Sequence, residues 1–329
     1  MTETIPLRTE LEAGAQFVVD QYRIANPPPY EHGTAQQARD GYRATSLRLG
    51  FDAEQDVRIR DLTVEGPKAP LRVRLYEPEM PADSRPLILY LHGGGWVMGD
   101  LDTHDTTCRL LAKLSDAAVA AVDYRLAPEH PFPAAPEDAI AALQYIPGAL
   151  AGRGIDTARV AIAGDSAGGT LALVAAIALK DEAKLAALAI FYPAGDVGRR
   201  ITSMDEFSSG YPLTSSTLRW FRDLYLEDIA MAGDWRASPM RYPRFQGLPP
   251  TLVVSVGHDP LRDDTVALAQ RLLSEVPGTE HRHLPDQMHG FLTLGKAIAP
   301  ARSELEHAAK FLRDALDAPI AAERLGEEA

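Results

Sequence analysis

The sequence has a single cysteine, Cys108, in 329 residues. That excludes an internal disulfide framework and a cysteine-based zinc cluster. A lone thiol fits a reducing compartment, so the expected location is cytoplasmic. Long apolar runs are also missing. The longest aliphatic stretch, 171–179, is far too short to span a bilayer as a helix. The first ten residues carry mixed charge and lack the apolar segment of a secretory signal. Positive charge is in deficit, because 33 basic residues face 46 acidic ones, a net of −13. A chain of that sign is repelled by phosphate, which excludes nonspecific binding to nucleic acid or an anionic membrane. No internal repeat or low-complexity segment is visible. What remains is 46% hydrophobic and 24% charged residues, enough to bury a full core in one large domain or two modest ones.

Residues 8–50 hold no strand pattern. Leu11, Phe17, Val18 and Tyr22, then the stretch 35–49, read as two helices, and the prolines of 26–30 break them apart. From residue 57 the period changes. Val57, Ile59, Leu62 and Val64 suggest a strand with a register change at Asp61. Leu71, Val73 and Leu75 alternate cleanly with their neighbours, and Gly66-Pro67 between the two runs predicts an antiparallel pair. Beyond residue 86, short apolar strands at 87–91, 118–123, 159–164, 185–192, 251–256 and 281–284 recur. Helical stretches at 103–116, 134–146, 167–180 and 263–275 lie between most of them. This is an α/β pattern, with a mostly parallel sheet of eight strands flanked by helices on both faces. A last helix at 301–316 carries Leu305, Ala308, Ala309, Leu312 and Leu316 on one face. Residues 196–245 interrupt the alternation; they are aromatic-rich and strandless, and read as a helical insertion. The tail 321–329 reads as frayed and acidic.

Four short motifs carry chemistry. Gly164-Asp165-Ser166-Ala167-Gly168 stands between a strand and a helix, the setting of a nucleophile elbow. The turn lifts the serine oxygen out of the sheet onto a helix N-terminus, where developing negative charge is favoured. His92-Gly93-Gly94-Gly95-Trp96 follows a buried strand and can expose unobstructed N–H groups to an oxyanion, with Ala167 adding another. His92 reads as an anchor for that loop. Asp259 ends one strand and His289 follows the next, which gives the chain order Ser, Asp, His. Ser166 would attack, His289 would take its proton, and Asp259 would orient the imidazole. Protonation of His289 at low pH would stop the reaction. Asp263 and Asp264 read as capping the next helix start, and Asp286 as a loop residue. Asp102, His104 and Asp105 read as a helix start, and Cys108 as core. His281 and His283 share a strand face but lack a third ligand, so no metal is expected.

Together with Asp123-Tyr-Arg-Leu-Ala-Pro-Glu-His-Pro-Phe-Pro133, Asp259-Pro-Leu-Arg262 and His289-Gly-Phe291, these motifs resemble the bacterial hormone-sensitive lipase family. Its members are carboxylesterases of the α/β-hydrolase fold. Asp165 before the nucleophile resembles the GDSAG branch, and Asp264 departs from the DPLRDE pattern. The resemblance spans about 70–316. It implies a helical cap made from 1–50 and 196–245, over a core made from 51–195 and 246–329. It also implies oxyanion donors at Gly94, Gly95 and Ala167, with Gly93 in the same loop. No cofactor is implied. Short to medium acyl esters and a homodimer, formed through an edge strand and the last helix, are implied. Trp96, Asp165, Tyr30, Phe207, Tyr211, Trp220, Phe221 and Tyr225 are the candidates for the substrate pocket, with about half of the insertion's aromatics expected only to pack. An amidase, lactonase or acyltransferase would use the same triad. A non-catalytic ligand-binding relative would lack the histidine that stands here as His289.

Overall fold

Residues 87–91 are apolar without a break because their side chains alternate between two cores. Leu87, Leu89 and Leu91 join one buried cluster, and Ile88 and Tyr90 join the other. A strand covered on both faces needs no polar side, which is why the run lacks alternation. The computed structural model describes residues 6–66, 68–80 and 82–318. The expected acidic tail, 321–329, lies outside them.

Eight strands form one sheet: β1 (Val57–Val64), β2 (Leu71–Pro78), β3 (Arg85–Leu91), β4 (Ala118–Asp123), β5 (Ile155–Asp165), β6 (Leu185–Phe191), β7 (Thr251–His258) and β8 (Glu280–Met288). Their spatial order is β1-β2-β4-β3-β5-β6-β7-β8. β2 runs antiparallel to both its neighbours, and every other pairing is parallel. β1 pairs with β2 in unbroken register from Val57–Pro78 to Val64–Leu71, so Asp61 does not shift the strand. Instead its carboxylate receives Arg74 from the paired strand, 2.7 Å away. The polar break in the alternation is a cross-strand ion pair on an exposed face.

Nine helices are described: α1 (Ala13–Ala25), α2 (Ala35–Leu49), α3 (Asp105–Ser115), α4 (Ala134–Leu150), α5 (Ala167–Ala178), α6 (Thr202–Glu206), α7 (Ser215–Tyr225), α8 (Arg262–Glu275) and α9 (Pro300–Asp317). α4, α5 and α8 share one buried cluster, and α3 and α9 share the other. The five apolar residues expected on one face of α9 are all buried. Thr34 and Gln37 start α2 with a reciprocal capping box.

Two segments stand apart from this layering. The first contains α1 and α2; the second, 196–245, contains α6 and α7 and no strand. Thr217 donates to Glu31 (3.2 Å) and Arg23 to the Gly210 carbonyl (2.9 Å), so the two segments are bonded to each other. Just before α1, Thr9 and Glu12 donate backbone N–H groups to the carbonyls of Pro285 and Asp286. His283 and His258 donate from Nε2 to the carbonyls of Leu7 and Thr9, at 2.9 and 2.8 Å. This N-terminal strap lies along β8. Asp286 therefore belongs to a strand, not to a loop.

Asp263 and Asp264 stand in the first turn of α8, but their carboxylates serve the neighbouring segment. Asp263 accepts from Ser203 N (2.9 Å), and buried Asp264 accepts from the N–H groups of Gly195 (2.6 Å) and Asp196 (2.9 Å). Arg262 reaches Glu206 at the end of α6 with both terminal nitrogens, at 2.9 and 2.7 Å.

Candidate active site

At the end of β5 the backbone turns sharply into α5, and Ser166 occupies the turn with φ +51°. A non-glycine residue there is strained and is held only by its surroundings. Its N–H donates to the Phe191 carbonyl at 2.8 Å. The turn is possible because Gly168 comes against the end of β3, where a Cβ would collide with the Leu91 and His92 carbonyls. The serine hydroxyl thus projects from the C-terminal edge of the sheet, where α/β folds hold their ligands.

His289 follows β8 and Asp259 follows β7. His289 Nε2 lies 2.9 Å from Ser166 Oγ, and its Nδ1 lies 2.7 Å from Asp259 Oδ2. Asp259 is fully buried, and its other oxygen accepts the Leu261 N–H at 2.7 Å. A carboxylate can only accept here, so Nδ1 carries the proton and Nε2 is left to accept from the serine hydroxyl. The Tyr192 ring packs against the imidazole, with ring centres 4.6 Å apart. The three residues expected from chain order are brought together.

The loop after β3 turns through three consecutive positive φ values, +125° at Gly94, +62° at Gly95 and +61° at Trp96. A Cβ at Gly95 would collide with the Phe221 ring. Among the described residues, the N–H groups of Gly94, Gly95 and Ala167 make no hydrogen bond within the chain, and all three residues line the cavity beside Ser166. Gly93, grouped with the oxyanion hole as the residue that shapes its loop, has that shaping part and not a donor's. Its N–H donates to Asp165 Oδ1 at 3.1 Å, and it does not line the cavity. It anchors the loop and is not a free donor.

Asp165 was expected only as a pocket residue, and it does line the cavity. It also accepts from Tyr90 Oη (2.9 Å) and faces His104 Nε2 at 3.2 Å, with both Asp165 and His104 buried. Burial alone would raise its pKa. His104, the Tyr90 hydrogen bond and His92 outweigh that and hold the carboxyl below its usual range. His104 is therefore more than the helix start that the sequence suggested. His92 is the anchor expected: its ring stacks on Tyr124 and its Nδ1 donates to the Gly93 carbonyl at 2.8 Å. Burial, then repulsion from His104, lowers its pKa to about 4, so it stays neutral.

The cavity measures about 380 Å³. Tyr30, Trp96, Asp165 and Phe221 line it as expected. The other four aromatic candidates do not. Phe207 is buried against Tyr211, with ring centres 5.1 Å apart. The Tyr211 hydroxyl donates to His258 Nδ1 at 3.0 Å. Tyr225 stacks on the back of Trp96 at 4.5 Å, and Trp220 packs on Phe221 at 5.4 Å. Tyr225 and Trp220 thus pack on lining residues without lining the cavity themselves. Tyr42, Val18, Leu213 and Leu218 line the cavity without having been expected, as do four arginines, Arg199, Arg200, Arg219 and Arg222. Side-chain direction in short helices and irregular turns has no period that a sequence reading could use.

His281 and His283 do converge, but on Ser255 Oγ, at 2.8 and 2.7 Å. Among the described residues no group of three His, Cys, Asp or Glu side chains could hold a metal ion. Cys108 is buried and unpaired. No described helix is long and apolar enough to cross a membrane.

Comparison with known proteins bears on this geometry. Residues 88–293 match a family model described as an alpha/beta hydrolase fold. The carboxylic ester hydrolase LipN of Mycobacterium tuberculosis is 38% identical over 76% of this chain and 69% of its own length. The ethyl acetate hydrolase of Pseudomonas putida is 35% identical over 90% of this chain and 95% of its own. Among solved structures, an ester hydrolase from the metagenome of Lake Arreo, complexed with a bipyridine phosphonate derivative, superposes with a TM-score of 0.88. It is 34% identical, covering 92% of this chain and 98% of that one. A hyperthermophilic esterase from the archaeon Pyrobaculum calidifontis gives 0.87 at 32% identity, covering 93% and 99%.

Proposed function

The chain belongs to the hormone-sensitive lipase-like esterases of the α/β-hydrolase fold and is a carboxylic ester hydrolase, and from that premise we propose that Ser166 is its nucleophile, His289 its general base and Asp259 the residue that orients the base. The observation that carries this is the hydrogen-bonded series Asp259–His289–Ser166, at 2.7 and 2.9 Å, on the wall of the cavity. Ser166 Oγ attacks the ester carbonyl carbon as Nε2 of His289 takes its proton. The tetrahedral oxyanion is received by the N–H groups of Gly94, Gly95 and Ala167. As the intermediate collapses, the imidazolium returns the proton to the departing alcohol, which leaves an acyl-serine. Water deprotonated by His289 then attacks the acyl carbon and releases the acid. Asp259 stabilises the imidazolium in both halves.

The substrates in this reading are small esters with short to medium acyl chains. A volume of about 380 Å³ supports it, being near the lower end of about 300–1,000 Å³ for ligand pockets. The segments 1–50 and 196–245 act as a cap on the core formed by 51–195 and 246–329. The support is that Val18 and Tyr30 from one segment and Leu213 and Phe221 from the other line a single cavity with Ser166. A homodimer through an edge strand of the sheet and α9, and a cytoplasmic location consistent with the unpaired Cys108, complete the reading.

Hydrolysis of a nitrophenyl ester series from acetate to palmitate, with Ser166→Ala as the paired control, tests it. The expected result is a maximum at short chains and loss of turnover in the variant. Turnover that survives the substitution overturns Ser166 as nucleophile.

A further inference from the structure

The chain carries a net charge of −13, yet the mouth of its cavity is cationic. Arg199, Arg200, Arg219 and Arg222 all line it, and all come from the insertion between β6 and β7. Half of that charge is answered locally, in part by Asp205 of the same lining. Arg200 pairs with Asp205 at 2.7 Å, and Arg222 with its neighbour Asp223 at 2.7 Å. Asp196, also in the lining, is taken by Arg241 at 3.0 Å. Arg199 and Arg219 are exposed, and neither guanidinium makes a hydrogen bond or a close ion pair among the described residues; Arg199 acts on the buried Asp264 carboxyl only through its field. Asp165, the remaining acid of the lining, is buried and faces His104.

Two unpartnered guanidinium groups over an otherwise apolar pocket are suited to one kind of group. They present planar, permanently charged donor forks that match a carboxylate, and a low-dielectric wall strengthens their field. A neutral ester has nothing to offer them. We propose that this esterase selects esters that bear a carboxylate at the end remote from the scissile bond, with Arg199 and Arg219 as its specificity residues. The inference rests on the ester-hydrolase reading and adds the substrate class. The carboxylate would arrive on the acyl part, as in a half-ester of a dicarboxylic acid, or on the alcohol part, as in the acetyl ester of a hydroxy acid.

Two matched pairs test it: monoethyl adipate against ethyl heptanoate, and 4-acetoxybutanoate against pentyl acetate. The readout is the ratio of kcat/KM for the anionic over the neutral member. The expected result is a ratio above one in at least one pair, which also identifies the part that carries the carboxylate. The double variant Arg199→Ala, Arg219→Ala lowers that ratio about tenfold, mainly through KM, whereas Arg199→Lys, Arg219→Lys keeps most of it. Salt at about 1 M, where screening acts within about 3 Å, lowers the ratio in the unaltered enzyme. A neutral preference in both pairs, or a ratio that the alanine variant leaves unmoved, overturns the proposal. If the neutral esters are hydrolysed in either case, only the carboxylate selection falls. If no ester is hydrolysed, the ester-hydrolase reading falls with it.

Discussion

Asp165 precedes the nucleophile in the chain but works on the loop opposite. One of its oxygens receives Tyr90 and the Gly93 N–H, and His104 lies 3.2 Å away. This carboxylate therefore fixes the start of the loop that presents Gly94 and Gly95. Asp165→Asn can keep an acceptor oxygen for Tyr90 and Gly93 but removes the charge that strengthens those bonds and faces His104. Hydrogen bonds to charged groups contribute about 1.5–3 kcal/mol. Asp165→Asn is thus expected to lower kcat about tenfold or more with a smaller change in KM, measured on a short nitrophenyl ester. An unchanged kcat would remove Asp165 from the positioning of the loop. The motifs made Ser166, Asp259 and His289 legible, because strained turns demand glycine at fixed spacing beside them. The His104–Asp165 contact was not legible, because the two residues are 61 apart in sequence and share no motif.

At the scale of elements, α6 and α8 are joined by Arg262 and Glu206. The guanidinium is buried and the carboxylate is about one-third exposed. This arginine ends the Asp259-Pro-Leu-Arg262 string, so the loop that supplies Asp259 also holds the insertion. Glu206→Gln leaves this buried cation with Asp263, 2.9 Å away, as its one carboxylate among the described residues, beside the Gly257 carbonyl at 3.5 Å. The expected cost is about 1–2 kcal/mol, confined to the insertion. Amide hydrogen exchange should quicken about tenfold across 202–211 while β5 and β7 keep their protection. Equal loosening of the sheet would show that the pair supports the whole fold. Strand and helix order could be read from sequence because burial on two faces writes continuous apolar runs and burial on one face writes helical periodicity. Which aromatics of 196–245 face the cavity could not be read. Phe207 and Tyr211 turn toward Arg262 and His258, partners contributed by a strand and a helix that come later in the chain. For the same reason Asp61 looked like a break in β1, when its partner was Arg74 across the hairpin.

For the whole molecule, buried histidines govern stability in acid. His92 and His281 are lowered to about 4, each by burial first and then by a neighbouring histidine. His258 and His283 are lowered as well, chiefly by burial. An unfolded histidine takes up its proton near pH 6.5, so below that pH the unfolded chain binds more protons than the native one. Stability then falls as pH drops from about 6.5 to about 4, and is unaffected by these groups above pH 7. Asp264 acts in the opposite sense. Burial raises its carboxyl to about 6, so between there and about 3.8 the native state binds the extra proton and recovers part of the loss. Asp123, whose carboxyl burial also raises, acts in the same sense as Asp264, so four histidines against two aspartates set the sign. Tm measured from pH 8 to pH 4 should be flat at first and then decline below about 6.5. A Tm that rises on acidification would contradict this balance.

The N-terminal strap has a consequence for how the molecule is made. The strap residues Leu7, Thr9 and Glu12 are synthesised long before the β7 and β8 residues that they bind. His258 is 249 residues from Thr9, and His283 is 276 from Leu7. Docking must therefore wait until β8 has been made, and it closes a loop spanning 276 positions between Leu7 and His283. α1 buries Ala15, Val18 and Val19 in the cluster that also holds α3 and α9. Until docking, the wall of the pocket that contains Val18 stays open, and a closed site forms only when the strap reaches β8.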